Sequence, residues 1–143
     1  MTSNHHHVSR HRSRSVAFQF LFSALPEKQT TDSISFNHVQ FKEFIDSFHL
    51  QTDDFTWEIV DGVGKNLPII DAEIQRLSEH WRIERMPKVD LTLLRLSIFE
   101  LLFRADIPKS VSINEAIELA KEYGEKESPS FINGILDKIS KHS

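Results

Sequence analysis

Arg10, Arg12 and Arg14 stand at alternate positions in the run Val8-Ser9-Arg10-His11-Arg12-Ser13-Arg14-Ser15. Guanidinium groups hydrogen-bond phosphate as a planar fork and attract it over a distance, so this run suits a polyanion. The mean charge of the chain hides it. The 143 residues sum to −4, but residues 1–25 hold +3 with no acid, and residues 26–143 hold −7. A basic start is thus joined to an acidic body. Phe22 follows soon after the arginines, and Phe131 stands near the start of the last helical segment. A ring beside a basic run can stack on an unpaired base, worth roughly 1–3 kcal/mol per base. The chain has 11 phenylalanines, so spacing alone leaves both rings equally readable as core.

The remaining chemistry-bearing residues give little. Glu115, Glu118 and Glu122 share a helix face at spacings of three and four, but no His follows a Glu at the interval a carboxylate-bridged metal pair requires. They read as a solvated face. His80 beside Trp81 reads as a packing histidine, and Ser97 has no general base nearby in sequence. Gly62-x-Gly64 lacks the third glycine and the lysine of a phosphate loop. His5-His6-His7 has no partner at metal-ligand spacing. The absence of cysteine excludes disulfides, thiolate metal sites and cysteine nucleophiles, and fits a reducing cytoplasm. The residues therefore argue for a binding protein without catalytic activity, cofactor or metal. The first apolar stretch, Val16 to Leu25, is about half of the roughly 20 residues that span a bilayer, so no membrane partner is expected. Pro26-Glu27 gives no signal-peptide cleavage site.

The elements that must position these groups are helices almost throughout. Four glycines and five prolines punctuate the chain, and no stretch alternates apolar and polar residues. Ser13 or Ser15 is expected to cap a first helix ending before Pro26. A loop over 27–36 leads to a second helix, Asn37 to His49, burying Val39, Phe41, Phe44, Ile45 and Phe48. Thr52 or Asp53 caps a third, which Gly62, Gly64 and then Pro68 weaken and end. A fourth runs from Leu67 to His80 with Ile69, Ile70, Ile74 and Leu77 inward. Asp90 is expected to cap a fifth, Asp90 to Arg104, with nine apolar residues of fifteen, which makes it the central buried helix. Ser112 and Glu115 form a capping box for a sixth, which Gly124 closes. Ser128-Pro129 starts the seventh. The expected fold is all-α: one compact domain of about seven helices over residues 13–143, preceded by a flexible basic arm over residues 1–12.

Several segments together resemble the NusB transcription antitermination factor family. They are Pro87-x-Val89-Asp90-Leu91-x-x-Leu94-Arg95-Leu96, then Ile113-Asn114-Glu115-Ala116-Ile117-Glu118-Leu119-Ala120-Lys121, and Phe131-Ile132-Asn133-Gly134-Ile135-Leu136-Asp137-Lys138. The arginine run followed by Ala17-x-Gln19-x-Leu21-Phe22 is similar to the family's N-terminal start. The likeness covers about residues 10–23 and 57–140; residues 26–52 carry no recognisable motif.

The resemblance implies two small helical bundles. It further implies a heterodimer with the small-subunit ribosomal protein that acts as NusE. That pair would bind boxA-type single-stranded RNA, so that the RNA polymerase elongation complex reads through terminators, chiefly in ribosomal RNA operons. By position, Arg10, Arg12, Arg14, Phe22 and Phe131 match RNA-binding residues, while Asp90 and Glu127 match the partner surface. His11 replaces an arginine, and Phe22 stands where the family usually has Tyr. Asn114 and Asn133 read as structural. A homodimer of the free protein and the preferred bases are left open. Two other readings stand beside this one. One is the helical N-terminal domain of an RNA cytosine methyltransferase, which would need a downstream nucleophilic cysteine that this chain does not contain. The other is a helical interaction module without RNA binding.

Overall fold

The computed structural model describes residues 8–141. The expectation for His5-His6-His7, and most of the expected arm, lie outside the described residues. Seven α-helices follow one another: α1 (Arg10–Ala24), α2 (His38–Ser47), α3 (Asp54–Lys65), α4 (Leu67–Leu77), α5 (Lys88–Phe103), α6 (Lys109–Tyr123) and α7 (Ser128–Lys141). A single 3-10 turn, Ile83–Arg85, precedes α5. No strand occurs among the described residues. Helix α5 is the shared element. It packs on α1 and α3 to one side and on α4, α6 and α7 to the other, so two small bundles are built around it. Every residue from Asp90 to Leu101 is buried, as its nearly all-round apolar sequence requires.

Two long-range ion pairs fix this helix to its neighbours. Arg95 is almost fully buried and donates from Nε and Nη2 to Asp71 of α4 at 2.8 and 2.9 Å. Its Nη1 and Nη2 also donate to the carbonyls of Pro26 and Lys28 at 2.7 and 3.0 Å. Asp71 accepts from the Thr30 backbone and hydroxyl, so the loop after α1 is tied down without regular structure. On the other side, Arg14 of α1 pairs with Glu100 of α5, again with both side chains buried. No buried side-chain nitrogen or oxygen among the described residues lacks a partner.

Several serines and acids that the sequence marks as caps are taken instead by other partners. Helix α1 starts at Arg10, three residues before the expected cap, because Ser9 caps it by accepting from the Arg12 amide at 3.1 Å. Ser13 instead donates to Asp53 at 2.8 Å, and Ser15 meets the Tyr123 hydroxyl at 2.6 Å. Residues 10–12 are therefore helical and belong to the domain rather than to a separate arm. Asp90 does not cap α5, which begins at Lys88; its carboxylate accepts from the Ser128 hydroxyl at 2.6 Å. Ser112 forms no capping box, since α6 begins at Lys109 and the hydroxyl donates to Glu100 at 2.7 Å. Gly62 and Gly64 lie in the last turn of α3, which ends at Lys65. A side chain at Gly62 would collide with the Phe99 ring, so this glycine permits the close approach of α3 to α5. Val39, Phe48 and Ile69, expected inward, are exposed. Helix α2 is buried only along Phe41 and Ile45, with Phe44 half-covered, which makes its apolar stripe wider than its packed face.

Removing one partner of a buried, multiply bonded ion pair leaves an uncompensated charge and costs about 3–5 kcal/mol. Arg95→Ala is accordingly expected to lower the unfolding free energy by about that amount, read by urea titration. A loss under about 1 kcal/mol, the scale of an exposed pair, would show that the Arg95–Asp71 pair does not anchor the loop.

Candidate nucleic-acid interface

A helix turns by 100° per residue, so side chains two apart diverge by about 200°. The three arginines, which would share one side of an extended arm, are split by the helix: Arg10 and Arg14, four apart, share the face that meets the Phe55 ring, at 3.7 and 5.2 Å, and Arg12 leaves on the opposite side. Arg10 lies with its guanidinium 3.7 Å from the centre of the Phe55 ring, beside the exposed cluster of Arg104, Asp106 and Glu58. Arg12 is exposed, and its side chain has no ion pair among the described residues. Arg14 is only 3% exposed and donates from Nε and Nη2 to both oxygens of Glu100, at 2.7 and 2.9 Å. Its fork is fully used inside the fold. Of the three candidates, Arg14 thus positions α1, and Arg12 is the one free to meet phosphate.

His11, between them, is held by α6. Its Nδ1 lies 2.8 Å from Glu115 and its Nε2 3.4 Å from Glu122. The pair of carboxylates expected to be purely solvated therefore clamps the first turn of α1. The hydrogen bond to Glu115 raises the His11 pKa above its ordinary value, against a smaller opposing effect of burial; Glu122 adds to the rise.

Farther along α1, Phe22 is half-buried. Its ring lies parallel to Phe18, with centres 5.7 Å apart, and the Lys88 ammonium sits 4.6 Å from its centre. Lys88 opens α5, where the helix dipole disfavours a cation. Cations in the first turn of α1 carry the same penalty. Local rules broken in this way mark sites where another requirement prevails. From Arg12 to Phe22 is about 15 Å along the helix at 1.5 Å per residue.

On the other side of the α5 start, Asp90, Glu127 and Phe131 come together. With Trp81 and Pro87 they line a pocket of about 270 Å³. Phe131 meets Trp81 edge-on, with ring centres 6.1 Å apart. Burial pushes the Asp90 carboxyl above the usual carboxylate range, the nearby Glu125 adds to this, and the Ser128 hydrogen bond opposes it. Residues Pro87 to Asp90 therefore separate Phe22 from Phe131, so the two candidate aromatics flank one helix start. Sequence reasoning missed Lys88 and Trp81. A lysine in a helix's first turn was the available signal for the former. Among the described residues, no group of three His, Cys, Asp or Glu side chains is arranged to hold a metal ion. No helix among them is long and apolar enough to cross a membrane.

Fold and face together define a small all-helical protein with a basic, aromatic strip beside an acidic pocket. Residues 11–141 match the family model described as the NusB family, and the chain belongs to that family. A relative called transcription antitermination protein NusB from Geotalea daltonii is 45% identical over 136 residues, 92% of this chain and 94% of that protein. Its counterpart from Thermodesulfovibrio yellowstonii is 39% identical over 140 residues, 94% and 93% of the two chains. Among solved structures, T. maritima NusB has a TM-score of 0.72 at 35% identity, covering 93% of this chain and 91% of that one. A structure of antitermination factors NusB and NusE in complex with dsRNA has a TM-score of 0.76, covering 94% of this chain and 97% of that one; at 24% identity, its likeness concerns the fold.

The raised His11 pKa fixes the sign of a pH effect. The clamp's stabilisation is complete below the unfolded value of about 6.5 and is lost as pH rises through the higher folded value. Thermal unfolding between pH 6 and 9 should show the melting temperature gap between the natural chain and Glu115→Gln shrinking as pH rises. A gap that widens with pH would contradict the clamp.

Proposed function

We propose that this chain is a transcription antitermination factor and not an enzyme. In this reading it binds boxA-type single-stranded RNA together with the small-subunit ribosomal protein that acts as NusE. The pair joins the RNA polymerase elongation complex and promotes read-through, chiefly in ribosomal RNA operons, in the cytoplasm. Membership of the NusB family supports the antitermination role. The shared fold with a NusB chain that forms a complex with NusE and dsRNA supports the two partners. The observation that carries the RNA assignment is the strip itself: in a chain of net charge −4, Arg12 stands exposed without an ion pair among the described residues, about 15 Å along α1 from the half-buried ring of Phe22, over which the half-buried Lys88 ammonium lies.

The parts divide as follows. Arg12 and Lys88 take phosphates, while Arg10 rests on the Phe55 ring on the other side of α1. Phe22 and Phe131 supply ring faces for bases. Arg14 contributes by holding α1 against α5. Exposed Glu127 forms the acidic border, with Asp90 buried beneath it on Ser128, where the basic ribosomal partner meets the RNA site; complementary charge there speeds association. With about 0.7 log units of salt dependence per neutralised single-strand phosphate, these two cations give a slope of roughly −1.4. Tight binding therefore requires the partner's contacts. A homodimer of the free protein would cover the same strip and compete with RNA.

Titrating a labelled boxA-like RNA, with and without the ribosomal partner, tests this. The partner should tighten binding at least tenfold. Arg12→Ala should weaken it and flatten the salt slope by about 0.7, with an unchanged melting temperature. No enhancement by the partner and no effect of Arg12→Ala together would leave a helical interaction module without RNA binding.

A further inference from the structure

Beside Phe22 the strip opens into a groove in which Phe22 is the one lining residue that the family resemblance matches to RNA binding. It encloses about 420 Å³ and is lined by Phe18, Phe22, Phe44, Phe48, Val89 and Tyr123, with a polar edge from Gln19 and Ser23. Four helices build it. Helix α1 gives Phe18 and Phe22, α2 and its C-terminal cap give Phe44 and Phe48, and the start of α5 and end of α6 give Val89 and Tyr123. Phe48 is 62% exposed, an unusual cost for a large apolar ring, and it sits 4.9 Å from Phe44. Gln19 lies seven residues after Arg12 and Ser23 four after Gln19, so these three form one line along α1.

Charge selects the occupant. The body of the chain carries −7, yet no carboxylate lines this groove. Its bordering charge is the Lys88 ammonium over Phe22, and the line along α1 leads from it back to Arg12. An apolar slot with planar walls, cationic at its border and free of acids, fits a group that is flat and anionic along one edge. A nucleotide of single-stranded RNA is such a group; a basic ribosomal protein is not. We propose that this groove seats one unstacked RNA base between the Phe48 and Phe22 sides, with Lys88 leaving the ring to meet the adjoining phosphate. This rests on the RNA reading above and adds α2 to the RNA-binding surface. The four-carbon stem of Lys88 permits the movement, since an ammonium has no fixed donor geometry to lose.

The test pairs protein and RNA changes. A labelled boxA-like RNA is made as a series, each member lacking one base but keeping its phosphate. Affinities are measured with the natural chain, Phe48→Ala, Phe48→Trp and Arg12→Ala, each with the ribosomal partner. Phe48 is exposed, so its replacements should fold normally. For one RNA position, loss of the base should weaken binding by the natural chain on the order of tenfold and leave binding by Phe48→Ala unchanged. Phe48→Trp should restore the effect, and Phe48→Ala should leave the salt slope as it was. If no position couples to Phe48 while Arg12→Ala still weakens binding, the groove is not a base seat and the wider RNA reading stands. If Arg12→Ala is also without effect, the RNA reading fails with it. If Phe48→Ala alters only self-association in sedimentation, a second copy of this chain is the occupant and the proposal is overturned.

Discussion

The buried Glu100 carboxylate is the constraint from which the functional face follows. It lies on the central helix, about 1% exposed, and such a charge is tolerable only when its oxygens are fully bonded. Two Arg14 donors and the Ser112 hydroxyl meet that need, which ties α1, α5 and α6 at a single point. The rotation of α1 about its own axis is fixed by this pair. Once Arg14 points inward, helix geometry sends Arg12 to solvent, His11 to α6 and Phe22 toward the start of α5. A neutral isostere at Glu100 would remove the reason for that rotation.

The same geometry divides labour within a run of like residues. An arginine pattern with period two suggests a uniform patch, but on a helix it cannot produce one. One arginine is structural, one leans on Phe55 at 3.7 Å, and one is available. A second cation comes from Lys88, in a segment 76 positions beyond Arg12, brought in because the start of α5 packs beside the later turns of α1. Both cations stand in first turns, where they weaken their helices slightly. The stability sacrificed there is supplied by the core around α5 and by the two buried ion pairs.

Much of the fold was legible in the sequence. The seven helices follow from 3.6-residue periodicity and from Pro26, Pro87 and Pro108, and the central role of α5 follows from its apolar density. The Asp53 cap of α3 was also readable, because it is local: its carboxylate accepts from the Thr56 amide three residues on. What was not readable is long-range. Ser112 and Asp90 look like caps, yet each is taken by a partner 12 or 38 residues away. Arg14 resembles its neighbours by type, and only its pairing with a residue 86 positions distant separates it from them. The family likeness pointed to Phe22, Phe131, Asp90 and Glu127, and these four lie around one helix start. It could not show that the first turn of α5 divides them, nor that an acid-free groove continues onto α2.

Chemical-shift mapping of the isotope-labelled protein, bound to its ribosomal partner and titrated with boxA-like RNA, tests the central claim most directly. Perturbation is expected along Arg12, Gln19 and Phe22, at Lys88 and Val89, and around Phe131. The Arg14–Glu100 pair should stay intact, with the Arg14 Nε–H resonance unmoved. Perturbation concentrated instead on the opposite face, around Phe55, Trp57 and Arg104, or loss of the Arg14 Nε–H signal on binding, would contradict that claim.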